Sequence, residues 1–470
     1  MRMPPVPRIA VTVAAVGIAA LASSRAGAQL TLREAFQRAD HAAYGNRIAA
    51  GAASAQRAQT LAPLKGILPN VRLEAGYVRT TDPIGVFGST LRQRAVTPAN
   101  FDPQRLNYPA AMANYQGGFV IEQPLVNADA WAGRDAATRA ADAGRASEEW
   151  TRLSIRVDVV RAYYGAILAR ERVATLQAAS TAAHAHVNQA DAMVRQGLVT
   201  RSDALLASVR AGEMDAQLAE ATGAVATANR QLDVLLGFDG AAPGRGVAAP
   251  RLPSTKRILA EVANDTATMP ANARADVDAA SDALAAARAD ALRARATLLP
   301  RINAFARYDW NSPTRVYAGD RNWTVGVMAS WNLFAGASEM ADVQTTAAHA
   351  AAARAQSEAT AANARLDVEQ TRIALGVALT RLEIGERAAA QSAEANRIVG
   401  RKYEGGLATV VELLDAQAAE TQSALSLSQA RWAAIVAAAE RRRAVGLDPA
   451  TLAVLDDTAT VAASDSLGGR

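Results

Sequence analysis

The turn Q-G-L-V-T-R-S-D, Gln196 to Asp203, returns as G-G-L-A-T-V-V-E, Gly405 to Glu412, 209 positions later. Gly197 aligns with Gly406, Leu198 with Leu407, Thr200 with Thr409 and Asp203 with Glu412. Each copy lies between long Ala-rich runs and reads as a tight turn joining two helices. Glycine stops the first helix because it alone enters the left-handed region cheaply. Threonine caps the next helix, whose positive first turn holds Asp203 or Glu412. One G-L-x-T means little; a second copy in register marks a tandem duplication. The offset holds further on, where Leu236-Gly237-Phe238-Asp239 matches Val445-Gly446-Leu447-Asp448. Ile67 to Val71 matches Leu298 to Ile302 at a longer offset, so a loop between Pro69 and Leu125 is longer in the first half.

Arg2 and Arg8 precede an apolar run, Ile9 to Ala22, and Ala26-Gly27-Ala28 has the small-x-small form of a signal-peptidase site. The expected organisation is a signal peptide over 1–28, a first repeat over 29–237, and a linker over 238–254. A second repeat follows over 255–448 and a flexible tail over 449–470. The run is too short to span a membrane, and no later stretch qualifies, so any insertion must use strands. The chain has no cysteine, which excludes disulfides, thiolate metal sites and a lipid-modified leader cysteine. Its net charge of +5 is spread along helices as Arg, with no clustered basic stripe for nucleic acid.

Leu30 to Gly66 reads as helix, opened by Thr31 with Glu34 as a capping box. Val71, Leu73, Ala75 and Tyr77 then alternate with Arg72 and Glu74, and Tyr115 to Leu125 reads as a return strand. Between them Thr81 to Asn114 has the composition of a loop. In the second half Ile302, Ala304, Ala306, Tyr308 and Trp310 share a face, as do Trp323, Val325, Val327, Ala329, Trp331 and Leu333. A half-buried soluble hairpin alternates in this way too. Strands of about ten residues with aromatic ends in an exported chain favour a transmembrane barrel wall. Tyr77, Tyr308, Trp310, Trp323 and Trp331 are the expected membrane-facing aromatics.

Ala128 to Arg195 and Ala337 to Glu404 run without proline for helices of roughly 100 Å each, at about 1.5 Å per residue. Thr200 to Leu236 and Thr409 to Val445 are about half as long. Leu153, Val157, Val160, Tyr164 and Ile167 form a seam spaced by three and four, as do Val368, Leu375, Leu379 and Leu382. A long coiled-coil hairpin fits the same pattern. Elsewhere alanine dominates the faces and buries little area, so helices this thin must pack along their sides, against other chains.

No cofactor motif, nucleophile elbow or metal-ligand spacing is present. His184 and His186 point to opposite sides of one helix and cannot share a metal. An enzyme is not expected, nor a metal or other cofactor. Glu412 and Asp415, three apart, face one side of their helix and in a symmetric ring become a ring of acids that selects cations or gates a pore.

The duplication, L-T-L-R-E-A-F near the start, L-L-P-R-I before the strands and the two tips together resemble the TolC-type outer-membrane efflux family. The resemblance implies an α+β membrane protein. Each chain would supply four strands of a trimeric twelve-stranded β-barrel, continued by a long periplasmic α-helical barrel. It implies a homotrimer set in the lipid of a Gram-negative outer membrane and reaching into the periplasm. This would be the exit duct of a tripartite efflux or type I secretion system. Its partners would be a periplasmic adaptor and an inner-membrane pump of RND, ABC or MFS type. Residue by residue, Glu412 and Asp415 match the aperture acids. Asp203 and Tyr403 match the network that holds the tips shut, and Gly197, Leu198, Thr200, Gly406, Leu407 and Thr409 match the adaptor-docking tips. Ala408 stands where some relatives place an Arg in that lock. The rival reading is a periplasmic coiled-coil adaptor or scaffold without a pore, which leaves the aromatic-ended strands unexplained.

Overall fold

The computed structural model describes residues 30–197, 199–238, 246–249, 251–263 and 274–455. The expected leader and Leu198 lie outside them. Two helices open the chain, α1 (Leu32–Ala42) and α2 (Tyr44–Gln59), where the sequence suggested one continuous helix. Thr31 and Glu34 form the expected capping box. Ala43 breaks the run at φ −58°, ψ 132°, and the buried Asn46 amide donates to the Ala39 carbonyl, which also accepts from the Ala43 N–H. A 3-10 turn at 62–66 leads into the sheet.

That sheet is an antiparallel meander in the order β1 (Asn70–Thr80), β2 (Met112–Val126), β3 (Arg301–Ser312), β4 (Asp320–Ser330). The chain reaches the second hairpin only after a full excursion through helices, so the duplication is what joins β2 to β3. The β1–β2 connection is longer than its counterpart, as the offsets required. It is not plain loop, however: α3 (Pro83–Arg92) and α4 (Pro103–Asn107) form inside it, each capped by an aspartate, Asp82 and Asp102. The fourth strand stops at Ser330, short of the expected Leu333, because Gly336 and Ala337 at φ +68° and +67° turn the backbone toward the next helix.

Helices α5 (Ala128–Arg195) and α6 (Arg201–Leu235) form the first hairpin, and α9 (Ser338–Glu404) and α10 (Val410–Ala444) the second. The shorter α7 (Thr255–Ala263) and α8 (Ala275–Ala296) precede β3. At 68 and 67 residues, α5 and α9 each span roughly 100 Å.

The core is not spread along this length. It gathers near the middle of the long helices, where Tyr163, Tyr164 and Ile167 of α5 meet Leu382 of α9 and Ile435 of α10, all buried. Full burial of such side chains is worth about 1.5–3 kcal/mol each. Val247 and Leu252, from the expected linker, belong to this core, and Val247 pairs with Leu30 in a parallel bridge. Leu452, Val454 and Leu455 do too, so the chain expected to be loose from 449 onward is packed at least as far as Leu455.

Two arginines clasp the same level. Arg156 pairs with Asp40 at 2.7 Å and with Asp448, joining the two repeats. Burial opposes its charge, but hydrogen bonds to Asp40 and Asp448 outweigh that and push its pKa up. Arg274 is 3% exposed, bound to Asp276 at 2.8 Å and Asp367 at 3.0 Å, and lies over the Trp150 ring.

Candidate functional site

The paired turns close both hairpins at the end farthest from the sheet. Gly197 and Gly406 take φ +69° and +73°, the left-handed conformation that only glycine enters without cost. At the second turn Gly406 N–H donates to the Tyr403 carbonyl and Leu407 N–H to the Lys402 carbonyl, a Schellman closure that satisfies the last carbonyls of α9. The first turn shows the corresponding bond from Gly197 to Val194.

Thr200 and Thr409 then open α6 and α10 with reciprocal capping boxes. The Asp203 carboxylate accepts from Thr200 N–H at 3.0 Å and its hydroxyl at 2.7 Å. Glu412 accepts from Thr409 N–H at 2.7 Å and its hydroxyl at 3.1 Å. These bonds, first from the Thr409 backbone and then from its side chain, hold the Glu412 pKa below the usual carboxylate value, aided by Lys402. Glu412 is therefore both a charge and a cap. Asp415 is exposed on the same side of α10 and has no hydrogen bond or ion pair among the described residues.

Tyr403 does not bond to Asp203. Its ring is 5% exposed, packed with Val410, Leu413 and Leu414, and its hydroxyl donates to the Met193 sulfur at 3.6 Å. Burial, then the nearby Asp203 charge, raises its pKa. Ala408 packs against the same cluster, so within one chain the second tip is fastened to α5 by apolar contact rather than by a polar lock. Leu407 is 82% exposed, and Leu205, Val209 and Val411 nearby are exposed as well. The last three were not singled out from sequence, since their exposure depends on how the hairpins pack.

Two of the four histidines make contacts between helices. His184 meets Asp215 at 2.9 Å, an acid that also accepts from Ser180. His186 reaches the other hairpin at Gln417 of α10, with its Nδ1 buried and unpartnered. Burial lowers its pKa, while Gln189 and Glu404 act in the opposite direction. Among the described residues no cluster of metal ligands occurs.

At the other end the sheet sorts its faces as the alternation predicted. Cross-strand partners Val71–Ile121, Leu73–Phe119, Ala306–Val325 and Tyr308–Trp323 place the apolar residues together. Tyr77, Tyr115, Tyr308, Trp310 and Trp323 lie on this face at its outer end, with Tyr77 and Tyr115 centroids 4.6 Å apart and Tyr308 and Trp310 4.9 Å apart. The opposite face carries a polar network: Arg307 with Glu74 and Asp309, and Glu122 with Arg72 and Asn303. No helix among the described residues is long and apolar enough to cross a membrane. The sheet has an apolar, aromatic-ended face on one side and ion pairs on the other, the two-faced pattern of a barrel wall.

Trp331 sits past the end of β4, its indole N–H donating to the Leu298 carbonyl at 2.9 Å. Trp131, on the first turn of α5, is exposed at the same end and was not singled out from sequence. Trp323 and Trp331 are eight residues apart, roughly 26 Å along an extended chain at about 3.3 Å per residue, or about 20 Å of height at a tilt of about 40°, somewhat less than a barrel's apolar band.

The family model described as outer membrane efflux protein matches residues 47–238 and 271–447, both repeats of the chain. The chain belongs to the outer membrane efflux protein family. This outer membrane efflux protein is a channel protein of the outer membrane, not an enzyme. Solved structures share its fold. The Campylobacter jejuni CmeC outer membrane channel is 16% identical at a TM-score of 0.74, covering 93% of this chain and 89% of its own. The outer membrane protein VceC of Vibrio cholerae is 17% identical at 0.71, covering 88% and 96%. A membrane protein from Pseudomonas aeruginosa is 20% identical at 0.73, covering 90% and 92%. A search of the curated proteins finds no match.

Proposed function

We propose that three copies of this efflux protein form one duct, the exit of a tripartite efflux or type I secretion system, opened at the helix tips by an adaptor and its inner-membrane pump. The observation that carries this reading is the sheet. Four strands with both edges unpaired and one apolar face cannot rest in lipid, where every backbone group must be bonded. Three copies edge to edge give twelve strands, a closed even-numbered barrel. The helical hairpins attached below then become twelve helices around the same axis. Long side-by-side alanine faces suit that arrangement, as do exposed Leu366, Ile373, Val377 and Ile384 on α9.

At the tips, Glu412 and Asp415 from three chains make a ring of six acids, motivating a cation-selective aperture. The exposed Leu407, Leu205, Val209 and Val411 offer apolar anchors to a helical adaptor. A cavity of about 590 Å3 between the hairpins, lined by Arg210, Glu213, Met214 and Gln417, supplies polar partners beside them. The test is single-channel recording of the purified protein in a planar bilayer. A small cation-selective conductance supports the duct; protein that is folded but never inserts sinks it in favour of a pore-free scaffold.

A further inference from the structure

The connection between β1 and β2 is held against the sheet. Two strands, β2 and β4, hold the end of its first helix, β3 joins through Asn114, and all these contacts lie on the polar face of the sheet. The buried Gln93 amide donates to the Asn114 side chain of β2 at 2.9 Å, and Asn114 donates to Asn311 of β3 at 2.9 Å. At β4, the Asn322 amide donates to the Arg92 carbonyl at 3.4 Å and Arg94 pairs with Asp320 at 3.8 Å. Asn114, Asn311 and Asn322 share the face that bears Glu122, Arg307 and Asp309, since strand side chains alternate. In a barrel whose apolar face meets lipid, this face is the lumen. The helix α3 therefore folds inward across the outer mouth.

Its own periodicity decides what it presents there. Gln93 and Val86 point to the sheet side of α3, while Ile84 and Leu91, seven apart, share the opposite side. Ile84 is 83% exposed and Leu91 51%, although both are large and apolar. Size fixes what covers them. Twelve strands about 4.8 Å apart and tilted about 40° enclose roughly 24 Å between backbones. Three helices each about 11 Å wide, in mutual contact, fill a circle of roughly that diameter. Three anchored copies of α3 have no room to stay apart.

We propose that Ile84 and Leu91 from three chains meet on the axis as an apolar constriction at the outer mouth, one that resists wetting rather than selecting by charge. This rests on the trimeric reading above. The occupant of each exposed stripe is the same stripe of the neighbouring copies.

The natural absence of cysteine makes the test clean. Ile84→Cys and Leu91→Cys are made separately in the full chain, treated with a bis-maleimide of about 10 Å reach, and run on a denaturing gel. The expected result is a shift of most chains from one-chain to two-chain mass in both variants. Arg105→Cys, on the part of the connection outside this stripe, should stay at one-chain mass. Native mass is measured on the same samples. A trimer with no cross-link at either position overturns the constriction while leaving the duct intact. A monomer overturns the trimeric duct and the constriction with it.

Discussion

Glu412 does two things in one chain, and the two can be separated. Glu412→Gln keeps a side chain able to complete the capping box and removes only the charge. Thr409→Ala keeps the charge and removes the hydroxyl to which Glu412 N–H donates at 3.2 Å. A carboxylate about 10 Å from a permeating ion is worth about 0.4 kcal/mol in water, and roughly 0.15 after screening over one Debye length. Six such acids sum to about 0.9 kcal/mol, so Glu412→Gln with Asp415→Asn should lower cation accumulation in the aperture about four- to fivefold. The same substitutions should also weaken block by multivalent cations. Thr409→Ala should cost about 1 kcal/mol of capping and speed amide exchange at 409–413 about fivefold, leaving selectivity in place. The assay is reversal potential in a salt gradient beside hydrogen exchange by mass spectrometry. Unchanged selectivity in the charge-neutral pair, with a shift in Thr409→Ala, would refute the acid ring and leave Glu412 as a cap alone.

Three further outcomes follow from named contacts. Arg274→Ala leaves Asp276 without its arginine and Asp367 with Arg443 alone, and should destabilise the fold by about 1–3 kcal/mol, read from the thermal midpoint in detergent. Gly117→Ala places a Cβ 2.5 Å from the Tyr317 ring that covers it, and should lower stability by about 1–3 kcal/mol, relieved when Tyr317→Ala is added. His186 has its folded pKa below the unfolded value because burial disfavours the cation. Its contribution is therefore complete above the unfolded value of about 6.5 and is lost as pH falls below it. Protection factors near His186, corrected for the intrinsic slowing of amide exchange in acid, should fall between neutral and mildly acidic pH, and His186→Gln should flatten that dependence; protection that stays constant with pH in the native chain would contradict it.

Much of this protein was legible in its sequence because its signals are local and repeated. Glycine followed by a capping threonine dictates a turn wherever it occurs, so both tips and all four long helices fell where expected within a residue. Side-chain alternation has a period of two in any strand, so the apolar and polar faces of the strands could be assigned without coordinates. The family resemblance named the membrane and the export role. What sequence could not decide are contacts between segments far apart in the chain. The resemblance places Tyr403 in the tip-closing network, and its contacts with Met193 and Leu413 within one chain depend on how two hairpins pack. Glu412 read as an aperture acid, while the bond that also makes it a cap depends on a rotamer. The connection 81–111 has loop composition, and only the tertiary anchors of Gln93 and Arg94 show that it folds into the lumen. Likewise the core lies midway along the helices, because both repeats, the segment at Val247 and the chain to Leu455 converge there. Periodicity tells a residue which way to face; only the packed chain tells it what it will meet.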